Sequence, residues 1–169
     1  MKCTSAEAAK LVRKFTEERR ALLAKEAKCR TFNAALGEDP ETVRPAYDFF
    51  AMQAEIAAAE DKIRRVKHAI NVFNTTTVVP GFDMTIDEML VYLPQLTERK
   101  EKLSGMANVL PKERAGFGGY GGSTTIDYVY ANYVPEDAGT ALETVSDRLS
   151  AAQTALDLVN STATMDIDL

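Results

Sequence analysis

The residue types that most often carry chemistry are scarce in this chain. It has one histidine, His68, and two cysteines, Cys3 and Cys29. A tetrahedral zinc site needs four ligands, and a di-iron helical bundle needs Glu-x-x-His motifs that the sequence lacks. A Cys–His nucleophilic pair would need a cysteine close to His68, and nothing in the spacing indicates one. We therefore predict no catalytic residue, no metal ligand and no cofactor.

A glycine-rich segment at residues 115–122 has the G-x-G-x-x-G spacing of a dinucleotide-binding loop. That fingerprint follows a strand and opens a helix, whereas here a helix should precede the loop and a strand should follow it. The ordinary interpretation is a surface loop, followed by tyrosines that pack against helix ends. The residues that could instead line a small-molecule site are Gly116, Phe117, Tyr120, Tyr128 and Tyr130.

The element that organises the chain is a predicted helix from about residue 45 to residue 74. Apolar side chains recur on it at alternating spacings of three and four residues, which is the period of a coiled coil. Their seam consists of Phe49, Met52, Ile56, Ala59, Ile63, Val66, Ile70 and Phe73. His68 falls on the opposite, solvated face. Such a helix is about 45 Å long, which exceeds the diameter of a round domain of this size and predicts an elongated fold.

Two Thr-x-x-Glu capping boxes, Thr4 with Glu7 and Thr85 with Glu88, predict where other helices begin. The first helix should run over 5–35 and form an antiparallel hairpin with the long helix, giving a hairpin over 5–74. Gly37 should close it. The second capping box opens a helix over 86–109.

Three further features complete the predicted helices. Glu18 and Lys25 interrupt the apolar seam of the first helix at positions that should be buried, so each should snorkel, pair with a partner helix or fix the register. Pro94 should kink the helix over 86–109. A last helix over 136–160, opened by Pro135, has an unbroken heptad seam of its own.

The predicted β structure is small. A glycine-rich loop at 115–123 leads into a strand at 124–134, and the tail at 165–169 alternates apolar and acidic residues as a short strand does. The tail could pair with 126–132 at one end of the bundle. The predicted fold is a single, mainly α domain of residues 1–169. It is an elongated antiparallel helical hairpin or bundle of four helices, with a small β element at about 124–133 and 165–169.

Charge is unevenly distributed along the chain, whose net charge is −5. Residues 1–30 carry nine Lys or Arg against four Asp or Glu, and residues 124–169 carry one Arg against eight Asp or Glu. The basic first helix could bind an anionic partner, but its bases alternate with acids and lack stacking aromatics, so nucleic acid is an unlikely partner. We expect it to lie beside the acidic last quarter, in the same chain or in a second copy.

Location follows from what the sequence lacks. It has neither an apolar run of membrane-spanning length nor a signal-peptide pattern at its start, which predicts no membrane association and a cytoplasmic protein. Cys3 and Cys29 would be about 39 Å apart on one helix, too far for an internal disulfide.

Four stretches carry a resemblance to a known family: Ile70–Thr75, Thr85–Glu88, Asp127–Leu142 and Met165–Leu169. In this order they resemble small bacterial helical proteins of the septicolysin-like type. The resemblance implies a helical fold with a minor β element and brings no catalytic residues. The glycine-rich loop and Pro94 depart from it.

The regular seams offer more apolar surface than one elongated chain can cover, so we predict a homo-oligomer. The self-association seam would be Phe49, Met52, Ile56, Ile63, Val66, Ile70 and Phe73. The function expected from this is a non-enzymatic oligomeric scaffold or protein-binding module. The alternative is a small-molecule-binding protein or enzyme, with its site at the glycine-rich loop and the tyrosine-rich strand.

Overall fold

The computed structural model describes residues 1–115 and 127–169. The helices in these ranges are α1 (Ser5–Cys29), α2 (Pro40–Val43), α3 (Phe49–Thr76), α4 (Ile86–Ala107) and α5 (Pro135–Thr162). The strands are β1 (Lys2–Thr4), β2 (Val78–Val79), β3 (Met84–Thr85), β4 (Lys112–Arg114), β5 (Tyr128–Tyr130) and β6 (Thr164–Asp166). The predicted class, mainly α with a small β element, is confirmed.

The chain divides into two compact units. Unit 1 contains Met1–Thr77 and Leu158–Leu169, and unit 2 contains Val78–Asp157. Helix α5 therefore contributes most of its length to unit 2 and its C-terminal end to unit 1. None of the helices in the described ranges is both long enough and apolar enough to cross a membrane.

Unit 1 is built on the hairpin of α1 and α3, which pack against each other. The contacts run in opposite directions along the two helices, so the pair is antiparallel, as predicted. They join Phe15 to Lys62, Arg19 to Glu60, and Glu26 to Gln53.

The apolar seam of α3 lies largely in the core. Its buried members are Met52, Ile56, Ala59, Val66 and Phe73. Ile63 and Ile70 are half-buried, and Phe49, at the start of the helix, is 55% exposed. The three-four spacing thus marks the face that the chain uses for its own core.

Helix α1 ends earlier than the sequence predicts. It stops at Cys29, and Gly37 (φ 88°) lies in a turn rather than at the helix end. The apolar residues beyond the end of α1, Phe32 and Leu36, are exposed. Most helical stability comes from packing an apolar face, and this segment has no core to pack against.

Glu18 and Lys25 are both exposed, so the prediction that they occupy buried seam positions is wrong. Glu18 lies 4.0 Å from Lys14 on its own helix, a solvated pair. The buried residues of α1 are Ala8 and Phe15, near its N-terminal end. Further along α1 the seam positions are at most half-buried, and a charge there stays in water at little cost.

All three strand pairs are antiparallel: β1 with β6, β2 with β3, and β4 with β5. The tail strand therefore pairs with Lys2–Thr4, not with 126–132 as the sequence suggested. Met1 and Ile167 extend this ladder with two hydrogen bonds, of 2.7 and 2.8 Å. Three residues before a helix are too short to show a β pattern, which is why this partner was missed.

The second half of the chain repeats the first. Helices α3 and α5 both have 28 residues. Their first residues, Phe49 and Pro135, are 86 positions apart, and so are their last residues, Thr76 and Thr162. The same separation relates Asn74-Thr75-Thr76 to Asn160-Ser161-Thr162. Side chains buried at both members of a pair are Met52 and Ala138, Ala59 and Val145, Val66 and Ala152, Phe73 and Val159, and Val79 and Met165.

The strands and capping boxes repeat as well, at a separation of 81 positions. Thr4 and Thr85 each end a strand and cap the helix that follows. The register is the same in both ladders. In unit 1, Thr4 opposes Thr164 and Cys3 opposes Met165. At the equivalent positions of unit 2, Thr85 opposes Val78 and Met84 opposes Val79. Each unit therefore contains the same strand pair, in the same register, leading into a capped helix.

Both capping boxes form as predicted. The backbone N–H of Thr85 donates to the Glu88 carboxylate at 2.7 Å, and the hydroxyl of Thr85 also contacts it. The backbone bond first, and the hydroxyl second, lower the pKa of Glu88 below its ordinary value. A lowered pKa contributes stability above the unfolded-state pKa, and this is lost as the pH falls through the folded-state pKa.

Replacing Thr85 with alanine should destabilise the protein, because the backbone N–H of Glu88 loses the hydroxyl that caps it. We expect the free energy of unfolding to fall by about 1 kcal/mol at neutral pH, measured by urea denaturation and circular dichroism. Thr85→Ser keeps a capping hydroxyl and should change it much less. Equal losses in the two variants would contradict the cap.

Candidate functional site

A groove of about 820 Å³ lies in unit 1 between the C-terminal part of α3 and residues 163–168. Phe73 and Met165, which line it, are buried. The charged residues along it are Arg65, Asp166 and Asp168, and the imidazole of His68 and the hydroxyls of Thr76, Thr77 and Thr164 add polar groups. Its volume is in the range of small-molecule and peptide-binding clefts.

Arg65 links the two sides of the groove. Its Nε lies 2.7 Å from Asp61 on the same helix, and a terminal guanidinium nitrogen lies 3.9 Å from Asp168. Arg64 contacts the other carboxylate oxygen of Asp61. Exposed pairs of this kind contribute little stability, so Asp168, which is fully exposed, is accessible to another cation.

His68 is exposed on the outer side of α3, as the sequence predicts. It lines this groove and a second one of about 570 Å³, which also contains Arg19, Glu60 and Lys67. In residues 1–115 and 127–169, no group of three or more His, Cys, Asp or Glu side chains is placed to hold a metal ion. The arrangement offers charged and hydrogen-bonding surfaces for binding.

Within residues 1–115 and 127–169, one edge of β6 has no partner strand where it meets the groove. In an antiparallel pair, residues that exchange backbone hydrogen bonds alternate with residues that do not. Met1 and Ile167 exchange two such bonds, so Cys3 and Met165 form the next bonded pair. The backbone N–H and C=O of Thr164 and Asp166 therefore point away from β1.

The ribbon of β4 and β5 brings together two of the predicted ligand-binding residues. The rings of Tyr128 and Tyr130 are 6.5 Å apart, with the Lys112 ammonium 4.2 and 5.3 Å from their centres. Both tyrosines are exposed, by 47% and 62%, so the ordinary interpretation that they pack against helix ends is wrong. Tyr133 does pack there, because its hydroxyl donates to the Met106 carbonyl at 2.9 Å. The other predicted residues, Gly116, Phe117 and Tyr120, lie outside the described residues.

A polar contact that the sequence analysis missed holds the segment before α3. The Tyr47 hydroxyl and the Gln53 amide both donate to one carboxylate oxygen of Glu26, at 3.1 and 2.6 Å. Burial, and then the hydrogen bond to Glu26, raise the pKa of Tyr47. This contact positions the hairpin connection.

No family model, curated protein or solved structure matches the chain. The resemblance to septicolysin-like proteins stays a prediction. The geometry of the described residues is therefore the basis for the functional argument.

The sequence analysis also missed the groove beside β6. The sequence pattern places Asp166 and Asp168 in a tail strand that pairs with 126–132, and it gives no role to Arg65. The signal that would have placed them is the internal repeat. The Thr-x-x-Glu motif recurs after 81 residues, and the Asn-Thr/Ser-Thr motif recurs after 86. By this repeat β6 is equivalent to β2 and β1 to β3, so β6 should pair with β1 as β2 pairs with β3.

The two thiols should react at very different rates. Cys3 lies in the β1–β6 ladder, is 4% exposed, and has its pKa raised chiefly by burial and then by the charge of Glu7. Cys29, at the end of α1, is half-buried. With a thiol reagent such as DTNB, Cys29→Ser, which retains only Cys3, should react more than about tenfold more slowly than Cys3→Ser. Equal rates would contradict the ladder.

Proposed function

We propose that this protein is a non-enzymatic helical scaffold that associates with further copies of itself. The observation that supports this most directly is the β4–β5 ribbon, all six residues of which are exposed. A two-stranded ribbon is at most marginally stable in water unless other elements pack on it. A partner surface would supply that packing.

The backbone of the ribbon also has outward-facing hydrogen-bonding groups that a partner strand could pair with. Ala115 donates to the Asp127 carbonyl and Ala131 to the Pro111 carbonyl, so Glu113 and Val129 form the hydrogen-bonded pair between them. The N–H and C=O groups of Lys112 and Arg114 then point outward on one edge, and those of Tyr128 and Tyr130 on the other. Unpaired strand edges of this kind are templates for pairing with another chain.

Exposed apolar side chains favour the same function. In unit 1, Phe49 and Phe50 are 55% and 82% exposed at the start of α3, and Leu36 is fully exposed in the connection before it. In unit 2, Val129 is exposed on the ribbon. Because the α3 seam is mostly occupied by the chain's own core, the proposal places the contact between copies on these surfaces instead.

Charge provides complementary surfaces. Among the described residues, the ion pairs of α1 are Lys14 with Glu18 and Arg19 with Glu60, which leaves most of its bases for other partners. The acidic residues of α5 are all exposed: Glu136, Asp137, Glu143, Asp147 and Asp157. Opposite charges on surfaces of two copies would steer and orient their association.

The single histidine and the two cysteines bear on the absence of catalysis and on the location in this proposal. The only histidine is exposed, and its surroundings provide contacts rather than a catalytic pair. Cys3 and Cys29 are free thiols, which fits a reducing compartment such as the cytoplasm. We infer a bacterial cytoplasmic scaffold.

Sedimentation velocity tests self-association directly. At neutral pH and low salt, we expect a mass of at least two chains within a concentration range of about 1–100 μM. The mass should decrease towards the low end of that range. It should also decrease at high salt, because exposed charges contribute to the contact. A mass of 18.5 kDa throughout that range would contradict the proposal. Lysozyme, measured in the same buffers, controls for non-ideality at low salt.

A further inference from the structure

The two equivalent strand edges of the repeat differ in one residue that matters for pairing. In unit 2, the position equivalent to Asp166 is Pro80, 86 residues earlier, which opens the turn between β2 and β3 instead of continuing the strand. Proline has no backbone N–H, so it cannot donate to an added strand. The β2 edge therefore ends at Val79, whereas the β6 edge keeps the outward N–H of Asp166.

The open edge of β6 also has space beside it. The groove of about 820 Å³ is lined by Thr164 and Asp166 on the strand and by Val72 and Phe73 on α3. An extended segment added to β6 would lie in this groove. Such strand addition is a common mode of recognition, in which backbone bonds give affinity and alternate side chains give specificity.

The side chains of the edge specify a basic partner. Asp166 and Asp168 are two residues apart, so along an extended chain they project to the same side. Both are exposed. An added strand with bases at alternate positions would place a positive charge opposite each carboxylate, and opposite charges across strands stabilise a pair.

Strand β4 has that pattern. Lys112 and Arg114 are two residues apart, and their outward backbone groups form the free edge of the ribbon. An antiparallel register that pairs Asp166 with Arg114 also pairs Asp168 with Lys112. Like edges are disfavoured, because two β6 edges would oppose carboxylates and two β4 edges would oppose bases.

We propose that the free edge of β6 binds the β4 edge of a second copy, extending the β1–β6 pair into a continuous intermolecular sheet. The contact joins different surfaces of the two copies, so repetition gives a closed ring or an open filament rather than an isologous dimer. This inference rests on the proposed self-association and specifies the surfaces that carry it.

The first test removes the backbone donor. Asp166→Pro deletes the outward N–H, which makes no hydrogen bond to β1. We expect its dissociation constant, from sedimentation velocity, to rise at least about tenfold above that of Asp166→Ala, which removes the charge but keeps the N–H. A circular dichroism melt of both variants establishes that they remain folded. Equal dissociation constants would overturn the inference.

The second test exchanges the charges. Asp166→Lys with Asp168→Lys makes both edges basic, and Lys112→Asp with Arg114→Asp makes both edges acidic. Each double variant should be monomeric at concentrations where the wild type associates, and an equimolar mixture should associate again in low salt. Failure of the mixture to associate, with both variants folded, would overturn the inference even if each variant alone were monomeric.

The mass of the wild-type protein distinguishes failure of the scaffold proposal from failure of the β6–β4 contact. If the wild type is monomeric at every concentration, the scaffold proposal and this inference both fail. If the wild type associates and the association is unchanged in Asp166→Pro and in both charge variants, the scaffold proposal stands and the β6–β4 contact is wrong.

Discussion

The pairing of β1 with β6 is the interaction on which the rest of the structure depends. It joins residues from the two ends of the chain through backbone hydrogen bonds, including two between Met1 and Ile167. It buries Cys3 and Met165. Its last residue in β1, Thr4, is also the N-cap of α1, so one residue fixes the end of the ladder and the start of the helix. By holding β6 near α3, the same pairing creates the groove.

The internal repeat explains why two parts of this chain share a construction yet differ at their surfaces. Both units use a strand, a capped helix and a 28-residue helix whose buried positions correspond. The differences are concentrated outside that framework. The first connection between helices contains α2, while the second contains β4 and β5. One strand edge is followed by Pro80 and the other includes Asp166. Packing constrains the shared positions, and the variable ones are where binding properties can differ.

The sequence predicted those features that depend on local chemistry. The two Thr-x-x-Glu boxes located the starts of α1 and α4, and the three-four spacing of α3 identified its buried face. Prediction failed where tertiary contacts decide. Glu18 and Lys25 occupy seam positions by spacing, but none of the side chains of α1 beyond Phe15 is fully buried. The β1–β6 ladder joins residues between 160 and 164 positions apart, and neither strand is long enough to identify its partner by pattern. The groove depends on that ladder, so its residues could not be assembled from spacing alone.

The central claim is that the β6 edge is used for binding while the equivalent β2 edge is not. Amide hydrogen exchange measured by NMR tests it at single residues. As protein concentration rises through the association range, the amides of Thr164 and Asp166 should become progressively protected. The amide of Val78, the counterpart of Thr164 on the short β2 edge that ends before Pro80, should not change. Protection that is independent of concentration at Thr164 and Asp166, in samples whose mass shows association, would contradict the account.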